Sequence, residues 1–326
     1  MKTKIILFLF LTTLSISCTV STTQKEAIPT INFEKNGKAF SGSDIECKFI
    51  ALETTTDNLI SMINHVKIFR NRIYVLDSYK TQAISVYTLE GKFITKVGRK
   101  GNGPGEYSFL NSFMIDEKKN QFVIVDSSNK KRLYYDLDTY KYQKMEDMPW
   151  ASDCIQLSDG GYAFFSHGTL PTDKREFYFL KVSDSTHQQV KDYLPSRFPI
   201  INGYHGPGGQ FHQLEGKTFF RSIYSPTVYE VSSTDVKPVY NLSFGKTELP
   251  PLDWVKQYMT DNQNYLRSLM GSGYICAYTL HETADYLHVN YCTHELRHCF
   301  YNKQTKEAYD YSFAEYVEYT GVEGMK

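Results

Sequence analysis

The chain has 326 residues and a formal net charge of zero, because 36 Lys and Arg residues balance 36 Asp and Glu residues. The lack of a basic excess argues against nucleic-acid binding, and the lack of an acidic run argues against a solvating tail. Hydrophobic residues make up 41% and aromatic residues 15% of the chain, which excludes intrinsic disorder and suffices for a large core.

The N-terminus has the features of an export signal. A basic start, residues 1–4, precedes an apolar run of about ten residues, and small residues then lead to Cys18. A ten-residue helix is about 15 Å long, half of the roughly 30 Å hydrocarbon core, so this run is too short to span a bilayer. A cysteine at the expected cleavage point is typical of a bacterial lipoprotein signal, with residues 1–17 removed and the Cys18 sulfur acylated. An ordinary secretory signal cut near the same place is the alternative, and both interpretations predict export.

Residues 18–42 are polar and rich in Ser and Thr, which predicts a flexible tether. From residue 43 the chain changes to short β-prone runs broken by turn residues. The runs 72–77, 83–87 and 93–97 are spaced as in an antiparallel meander. The pattern returns 49 positions later at 121–126, where Asp126 takes the place of Asp77.

Fainter copies of the meander lie at 161–182, 217–231 and 286–301. A strand-only repeat of roughly 40–50 residues predicts a β-propeller, in which each sheet is buried against its neighbours in a ring. We therefore predict one all-β propeller domain over residues 43–326. The repeated Asp77 and Asp126 end equivalent strands, where aspartates usually cap turns.

One segment departs from the β pattern. Apolar residues recur at three- and four-residue spacing after Pro250 and Pro251, and Gly271 follows them. This spacing predicts one amphipathic helix near 251–270. We interpret it as an insertion that packs on the ring, and the alternative is a lid over the central channel.

Two glycine-rich segments are candidate loops. Residues 98–107 lack the Gly-Lys-Ser/Thr ending of a phosphate-binding loop, so their glycines are better explained by a tight crossing between blades, in which Glu106 binds exposed backbone N–H groups. Residues 203–212 combine glycines with histidines, as loops that shape ligand access at one face of a propeller do. Tyr204, His205 and His212 are therefore our candidate ligand-binding residues, although an ordinary connection between blades is the simpler reading.

Residues 294–298 spell the His-Glu-x-x-His motif of zinc proteases. That chemistry requires both histidines on one helical face, whereas here the motif lies between two strand-like runs and is predicted to form a hairpin tip. We predict no catalytic residues, no metal site and no cofactor. Five cysteines besides Cys18 are too few for a disulfide scaffold, although a cross-hairpin bond between Cys292 and Cys299 is conceivable.

The segment 98–107, with its Gly-Pro-Gly-Glu-Tyr run, resembles a signature of the six-bladed β-propeller lipoproteins of Bacteroides-like bacteria, which are relatives of NHL-repeat propellers. Segments 51–54, 73–77, 122–126 and 240–246 extend the resemblance over roughly residues 40–310. It implies a six-bladed fold whose last blade is incomplete, because the chain stops at Lys326 soon after the fifth blade-like unit. A strand near 47–50 could help to close that blade. The family supplies no catalytic residues, and its members are thought to bind glycans or peptides.

These observations favour a lipid-anchored module of the cell envelope that binds a glycan, a peptide or an envelope protein, and whose other partner is the membrane. The first alternative is a propeller enzyme, such as a lactonase, lyase or hydrolase, that uses the central channel. The second alternative is a structural component of the envelope.

Overall fold

The protein is described by a computed structural model that covers residues 27–34, 48–166, 177–184, 186, 188–196, 210–222, 225–258 and 262–320. Within these residues, an antiparallel four-stranded meander occurs five times, and each meander forms one blade. The prediction of an all-β propeller is confirmed.

The strands of each blade follow one another in the chain, and the first strand of each lies at the centre of the ring. Blade 1 contains β2 (His65–Phe69), β3 (Arg72–Asp77), β4 (Ala83–Thr88) and β5 (Phe93–Lys96). The crossing to blade 2 contains the short parallel pair β6 (Arg99–Lys100) and β7 (Glu106–Tyr107). Blade 2 contains β8 (Leu110–Asp116), β9 (Gln121–Asp126), β10 (Lys131–Asp136) and β11 (Tyr142–Asp147).

The other three blades repeat this order. Blade 3 contains β12 (Asp153–Gln156), β13 (Tyr162–Phe165), β14 (Phe177–Ser183) and β15 (Val190–Ser196). Blade 4 contains β16 (Phe211–Leu214), β17 (Lys217–Arg221), β18 (Thr227–Val231) and β19 (Val236–Ser243). Blade 5 contains β20 (Ala277–Glu282), β21 (Tyr286–Cys292), β22 (Leu296–Asn302) and β23 (Ala308–Ser312).

The core lies between neighbouring blades rather than within any one of them. The second strands of blades 1 and 2, β3 and β9, are almost wholly buried because both of their faces are covered. Tyr74 of β3 stacks on Phe122 of β9 with ring centroids 5.5 Å apart, and Phe122 stacks in turn on Phe113 at 5.1 Å. Further apolar clusters join blade 2 to blade 3, blade 3 to blade 4 and blade 4 to blade 5. Aromatic packing between blades therefore accounts for much of the Tyr and Phe content.

Part of the segment predicted as a tether is ordered against blade 4. Residues Thr30–Asn32 form β1, which pairs in parallel with the outermost strand β19. Phe33 is buried and stacks on Phe244 with ring centroids 5.7 Å apart. The described part of this segment is therefore not free of the propeller.

The structure divides the predicted helix near 251–270. Two helices, α1 (Leu252–Lys256) and α2 (Asn262–Ser272), replace the single one, and α2 runs past Gly271 to end before Gly273, whose φ is +79°. Val255, Tyr265 and Leu269 share one buried cluster, as the apolar spacing predicts. None of the described residues of these helices lines the central cavity, which favours the packed insertion over the lid.

Blades 1 and 5 each have a sheet face that no other described blade covers, and a segment outside the blades packs on each of these faces. Ile50 and Leu52 pack against Ile73 and Val75 of blade 1, and residues 48–50 form no strand, so the predicted closing strand is absent there. On blade 5, the short helix α3 (Phe313–Thr320) packs on β22 and β23, a helix that the sequence pattern did not indicate.

Candidate ligand channel

The innermost strands of all five blades surround one central cavity of about 1190 Å³. This volume exceeds what a typical drug-sized ligand needs. Residues from β2, β8, β12, β16 and β20 contribute to its wall, and Arg221 and Asn290 reach it from neighbouring strands. The cavity is therefore the channel of the ring, and each blade presents its first strand to it.

The acidic groups of the channel lie mainly at one mouth. The turns after β8, β12 and β16 carry Glu117, Asp159 and Glu215, and Asp116 ends β8 beside them. Most of these carboxylates already have partners: Asp116 lies 3.6 Å from the Lys119 ammonium, Glu117 lies 3.6 Å from an Arg70 guanidinium nitrogen, and Asp159 accepts the Ser233 amide at 2.9 Å.

One carboxyl group lies in the channel wall itself. Asp153 of β12 accepts the backbone N–H of Gln210 at 3.1 Å, and burial raises the pKa of its side chain. The Arg221 guanidinium, which is 2% exposed, lies 4.8 Å from the centre of the Tyr278 ring and interacts electrostatically with Asp153. A carboxyl group with a raised pKa beside a cavity is a candidate for proton transfer.

His212 belongs to a hydrogen-bonded network between blades 4 and 5. Its Nε2 lies 2.7 Å from Glu282 Oε2, and its ring stacks on Phe219 with centroids 5.0 Å apart. Glu282 also accepts the Tyr240 hydroxyl at 2.9 Å and lies 2.8 Å from the Lys303 ammonium. Burial acts to raise the pKa of Glu282, but the hydrogen bonds from these partners outweigh it and lower that pKa. The His212 ring is thus held in place along the channel wall.

Three basic side chains from blades 1 and 5 lie in the channel wall at the junction of these blades. His65 and Lys67 project from the same face of β2, and His281 belongs to β20. Burial, followed by the charges of Lys67 and His281, lowers the pKa of His65 to about 4. Burial also lowers the pKa of Lys67. The pKa of His281 is lowered mainly by burial and to a smaller extent by the charges of Arg221 and His212. We call this group the basic cluster.

The candidate residues from the sequence have different outcomes. His212 lines the channel as described above, whereas Tyr204 and His205 lie outside the described residues, as does the lipidation candidate Cys18.

The two repeated aspartates cap turns. Asp77 accepts backbone N–H groups of Ser61, Met62, Tyr79 and Lys80 at 2.8 to 3.2 Å, which confirms the turn-capping interpretation. Asp126 likewise accepts the Ser108 and Asn129 amides at 2.7 and 3.2 Å.

The segment 98–107 forms the crossing between blades 1 and 2, as predicted. Glu106 accepts the Gly103 amide at 2.8 Å and pairs with the Arg99 side chain, and these two contacts lower the pKa of its carboxyl group. Gly105 has φ +73°, and a Cβ atom there would lie 2.7 Å from the Tyr142 ring. The glycines therefore serve the tight crossing, not a phosphate.

The His-Glu-x-x-His motif spans the turn between β21 and β22 and the first three residues of β22. His294 is exposed, whereas the buried His298 ring stacks face to face on Tyr316 with centroids 3.8 Å apart. Within the described ranges, no three His, Cys, Asp or Glu side chains form a group that suits a metal ion.

The disulfide between Cys292 and Cys299 is not formed, because both are free thiols. In the β21–β22 pairing, Cys292 lies opposite Leu296 and Cys299 lies opposite Val289.

Sequence reasoning missed most of the channel. The innermost strands β2, β8, β12, β16 and β20 were not among the predicted runs, although each precedes a predicted or partly predicted strand by a short turn. The segments before the strongest predicted strands could have indicated the innermost ones, because only two residues lie between β2 and the run 72–77 and four lie between β8 and the run 121–126. The basic cluster was missed for this reason.

Comparison with known proteins places the fold in a family. The family model DUF5128, described as a six-bladed β-propeller, matches residues 20–326. The chain belongs to this six-bladed β-propeller family. A crystal structure from Bacteroides fragilis, named only as a candidate exported protein, is 28% identical over 89% of this chain and 82% of its own, with a TM-score of 0.78. A member of the DUF4221 family from Bacteroides vulgatus shares the fold alone, at 9% identity over 82% of this chain and 86% of its own, with a TM-score of 0.54.

A search of curated proteins finds no sequence relative of this propeller. The described residues form five blades, whereas the family description gives six. This difference is consistent with an incomplete last blade. Across the described ranges, no helix of the propeller has both the length and the apolar character needed to cross a bilayer.

Proposed function

We propose that this chain is an exported β-propeller of the cell envelope that binds a small ligand, a glycan or a peptide, in its central channel. One observation carries the proposal: the inner strands of all five blades converge on a single cavity of about 1190 Å³ whose wall holds basic, acidic and aromatic side chains. Concave sites with a few convergent polar groups are the usual form of ligand pockets in proteins.

The location is supported by two independent features. The solved structure from Bacteroides fragilis that resembles this chain is named as a candidate exported protein. The sequence itself begins with a basic, then apolar, then small-residue pattern that ends at Cys18. Acylation of Cys18 would hold the propeller at a membrane surface, and mass spectrometry of the purified chain for a lipid-modified Cys18 tests this part of the proposal.

Ligand binding is tested by a substitution that places a bulky side chain in the channel wall. Val66 of β2 lines the cavity and is 45% exposed, whereas Ile68, two residues further along the same face, is 62% exposed and lies outside the cavity wall. In calorimetric titrations with neutral and acidic oligosaccharides and peptides, Val66→Trp should weaken binding, and Ile68→Trp should leave it unchanged. Equal binding by both variants, or binding of no compound by the unmodified chain, would contradict a ligand site in the channel.

A second candidate, channel-based catalysis, rests on Asp153. Burial raises the pKa of this carboxyl group, and a protonated acid beside a cavity is a requirement of general acid catalysis. The experiment is a turnover screen with lactones, glycosides and uronates, in which Asp153→Asn should abolish any activity found. Binding without turnover by the unmodified chain would favour the binding module, and a stoichiometric partner recovered with the chain from detergent would favour the structural role.

A further inference from the structure

Lys67 is a half-buried lysine in the channel wall without an acidic partner. Within the part of the chain that the structure describes, no carboxylate oxygen lies within 4.0 Å of its ammonium, and no hydrogen bond from it is formed. Removing a charged ammonium from water without compensation is costly, and burial accordingly lowers the pKa of this group. Such a group is stabilised when an anion reaches it.

Comparison with the other lysines of the channel shows that Lys67 differs. The Lys119 ammonium lies 3.6 Å from Asp116, and the Lys118 ammonium lies 3.5 Å from the Ser158 carbonyl oxygen. Both of these residues are in the turn after β8, at the mouth where the carboxylates are gathered. Lys67 instead lies in the wall, on the strand that also carries His65.

The groups around Lys67 complement an anion. His65 and His281 face the same part of the channel closely enough to interact electrostatically, and a neutral imidazole can donate one N–H to a carboxylate. Thr279 of β20 contributes a buried hydroxyl that has no hydrogen-bond partner among the described residues. Phe113, whose ring lies 5.1 Å from that of His65, and Phe211 add aromatic surface to the wall.

We propose that the Lys67 ammonium, flanked by His65 and His281, binds the carboxylate of a small ligand in the channel, with the Thr279 hydroxyl as a further polar contact. This inference rests on the proposed function, because it names the ligand chemistry of the same site. The carboxylate can belong to an acidic sugar or to a peptide C-terminus, and the experiment separates these two sources.

The experiment uses the full chain, purified in detergent, and isothermal titration with matched pairs of probes. The sugar pair is trigalacturonic acid and its fully methyl-esterified form, and the peptide pair is N-acetyl-trialanine and its C-terminal amide, so that the second member of each pair is uncharged. Charge-assisted hydrogen bonds contribute more than neutral ones, so the carboxylate of one pair should bind roughly 10- to 100-fold more tightly than its neutral counterpart. The pair that shows this difference identifies the source.

Two variants locate the contact. Lys67→Met keeps the length of the side chain and removes its charge, so it should weaken the carboxylate probe by roughly tenfold or more while leaving the neutral probe unchanged. Lys119→Met is the matched control, because the charge of Lys119 is already compensated by Asp116. If Lys67→Met does not fold, Lys67→Gln removes the same charge with a polar side chain and tests the same contact.

The outcomes separate this inference from the proposed function. Equal binding of acid and neutral counterpart overturns the carboxylate assignment and leaves a channel that binds neutral ligands. A carboxylate affinity that survives Lys67→Met overturns the assignment of the contact to Lys67. Binding of none of the four probes overturns the carboxylate assignment, and the wider screen with Val66→Trp then decides the proposed function separately.

Discussion

The buried histidine at the end of the His-Glu-x-x-His motif allows a quantitative test of the structure. His298 is 7% exposed, stacks on Tyr316, and has no hydrogen-bond partner for either ring nitrogen among the described residues. Burial lowers the pKa of His298 to about 4, and burial together with the charges of His298 and His281 lowers that of His288 to about 3. The perturbation that we choose is His298→Phe, which keeps an aromatic ring on Tyr316 and removes the titrating group.

The expected magnitude follows from proton linkage. An unfolded histidine has a pKa of about 6.5, so at pH 5 it binds a proton that the folded His298 does not. Because the unfolded chain binds more protons there, stability falls as the pH falls below about 6.5, by about 2 kcal/mol for this residue at pH 5. The loss continues until the pH reaches the folded pKa of about 4. In His298→Phe, the decrease between pH 7.5 and pH 5 should therefore be smaller by about 2 kcal/mol.

The assay is urea unfolding followed by intrinsic fluorescence at both pH values. At pH 7.5 we expect His298→Phe to lie within about 1 kcal/mol of the unmodified chain, since the stacked ring is retained. His294→Phe is the control, because it makes the same substitution at an exposed position of the same hairpin tip. An identical pH dependence in the unmodified chain and in His298→Phe would refute a neutral, buried His298.

Three further predictions concern stability and thiol reactivity. Gly105→Ala should cost roughly 1–2 kcal/mol more than Gly216→Ala in urea unfolding, because both glycines have φ near +75° but only at Gly105 would a Cβ atom meet a neighbour, the Tyr142 ring at 2.7 Å; equal costs would contradict this. Asp77→Ala should lower the free energy of unfolding by about 3 kcal/mol, because four backbone N–H groups lose their acceptor, and a change below about 1 kcal/mol would argue against the capping role. In native protein at pH 8, a thiol reagent followed by mass spectrometry should modify the partly exposed Cys276 and Cys292 before the buried Cys154 and Cys299, because burial raises the pKa of both buried thiols. Faster labelling of the buried pair would show that these blades open readily.

The sequence predicted the repeating unit because the second and third strands of a blade have a strong local pattern. The predicted runs 72–77 and 121–126 coincide with β3 and β9, which are apolar along their whole length because blades cover both faces. The innermost strands have no such pattern. In β2, for example, the partly buried His65 and Lys67 alternate with the exposed Val66 and Ile68, so the apolar residues of this strand do not mark a buried face.

The helical segments show a second limit of local reasoning. The apolar spacing near 251–270 identified the buried residues Val255, Tyr265 and Leu269, but it could not show that the chain forms two helices there. The short helix α3 was missed because its eight residues owe their helical state to packing on blade 5, where Tyr316 stacks on His298. Tertiary contacts, not propensity, decide such short helices.

The basic cluster depends on closure of the ring, because His65 and His281 lie 216 positions apart in the chain. No local window of sequence could bring them together, and the placement of the first and last described blades around one channel does so. The faces of those two blades are covered by different elements, residues around Ile50 and Leu52 on blade 1 and α3 on blade 5. The proposed carboxylate site therefore requires the ring arrangement of the blades, because its two sides come from β2 and β20, whereas the apolar clusters that join blades lie between the other pairs of neighbours.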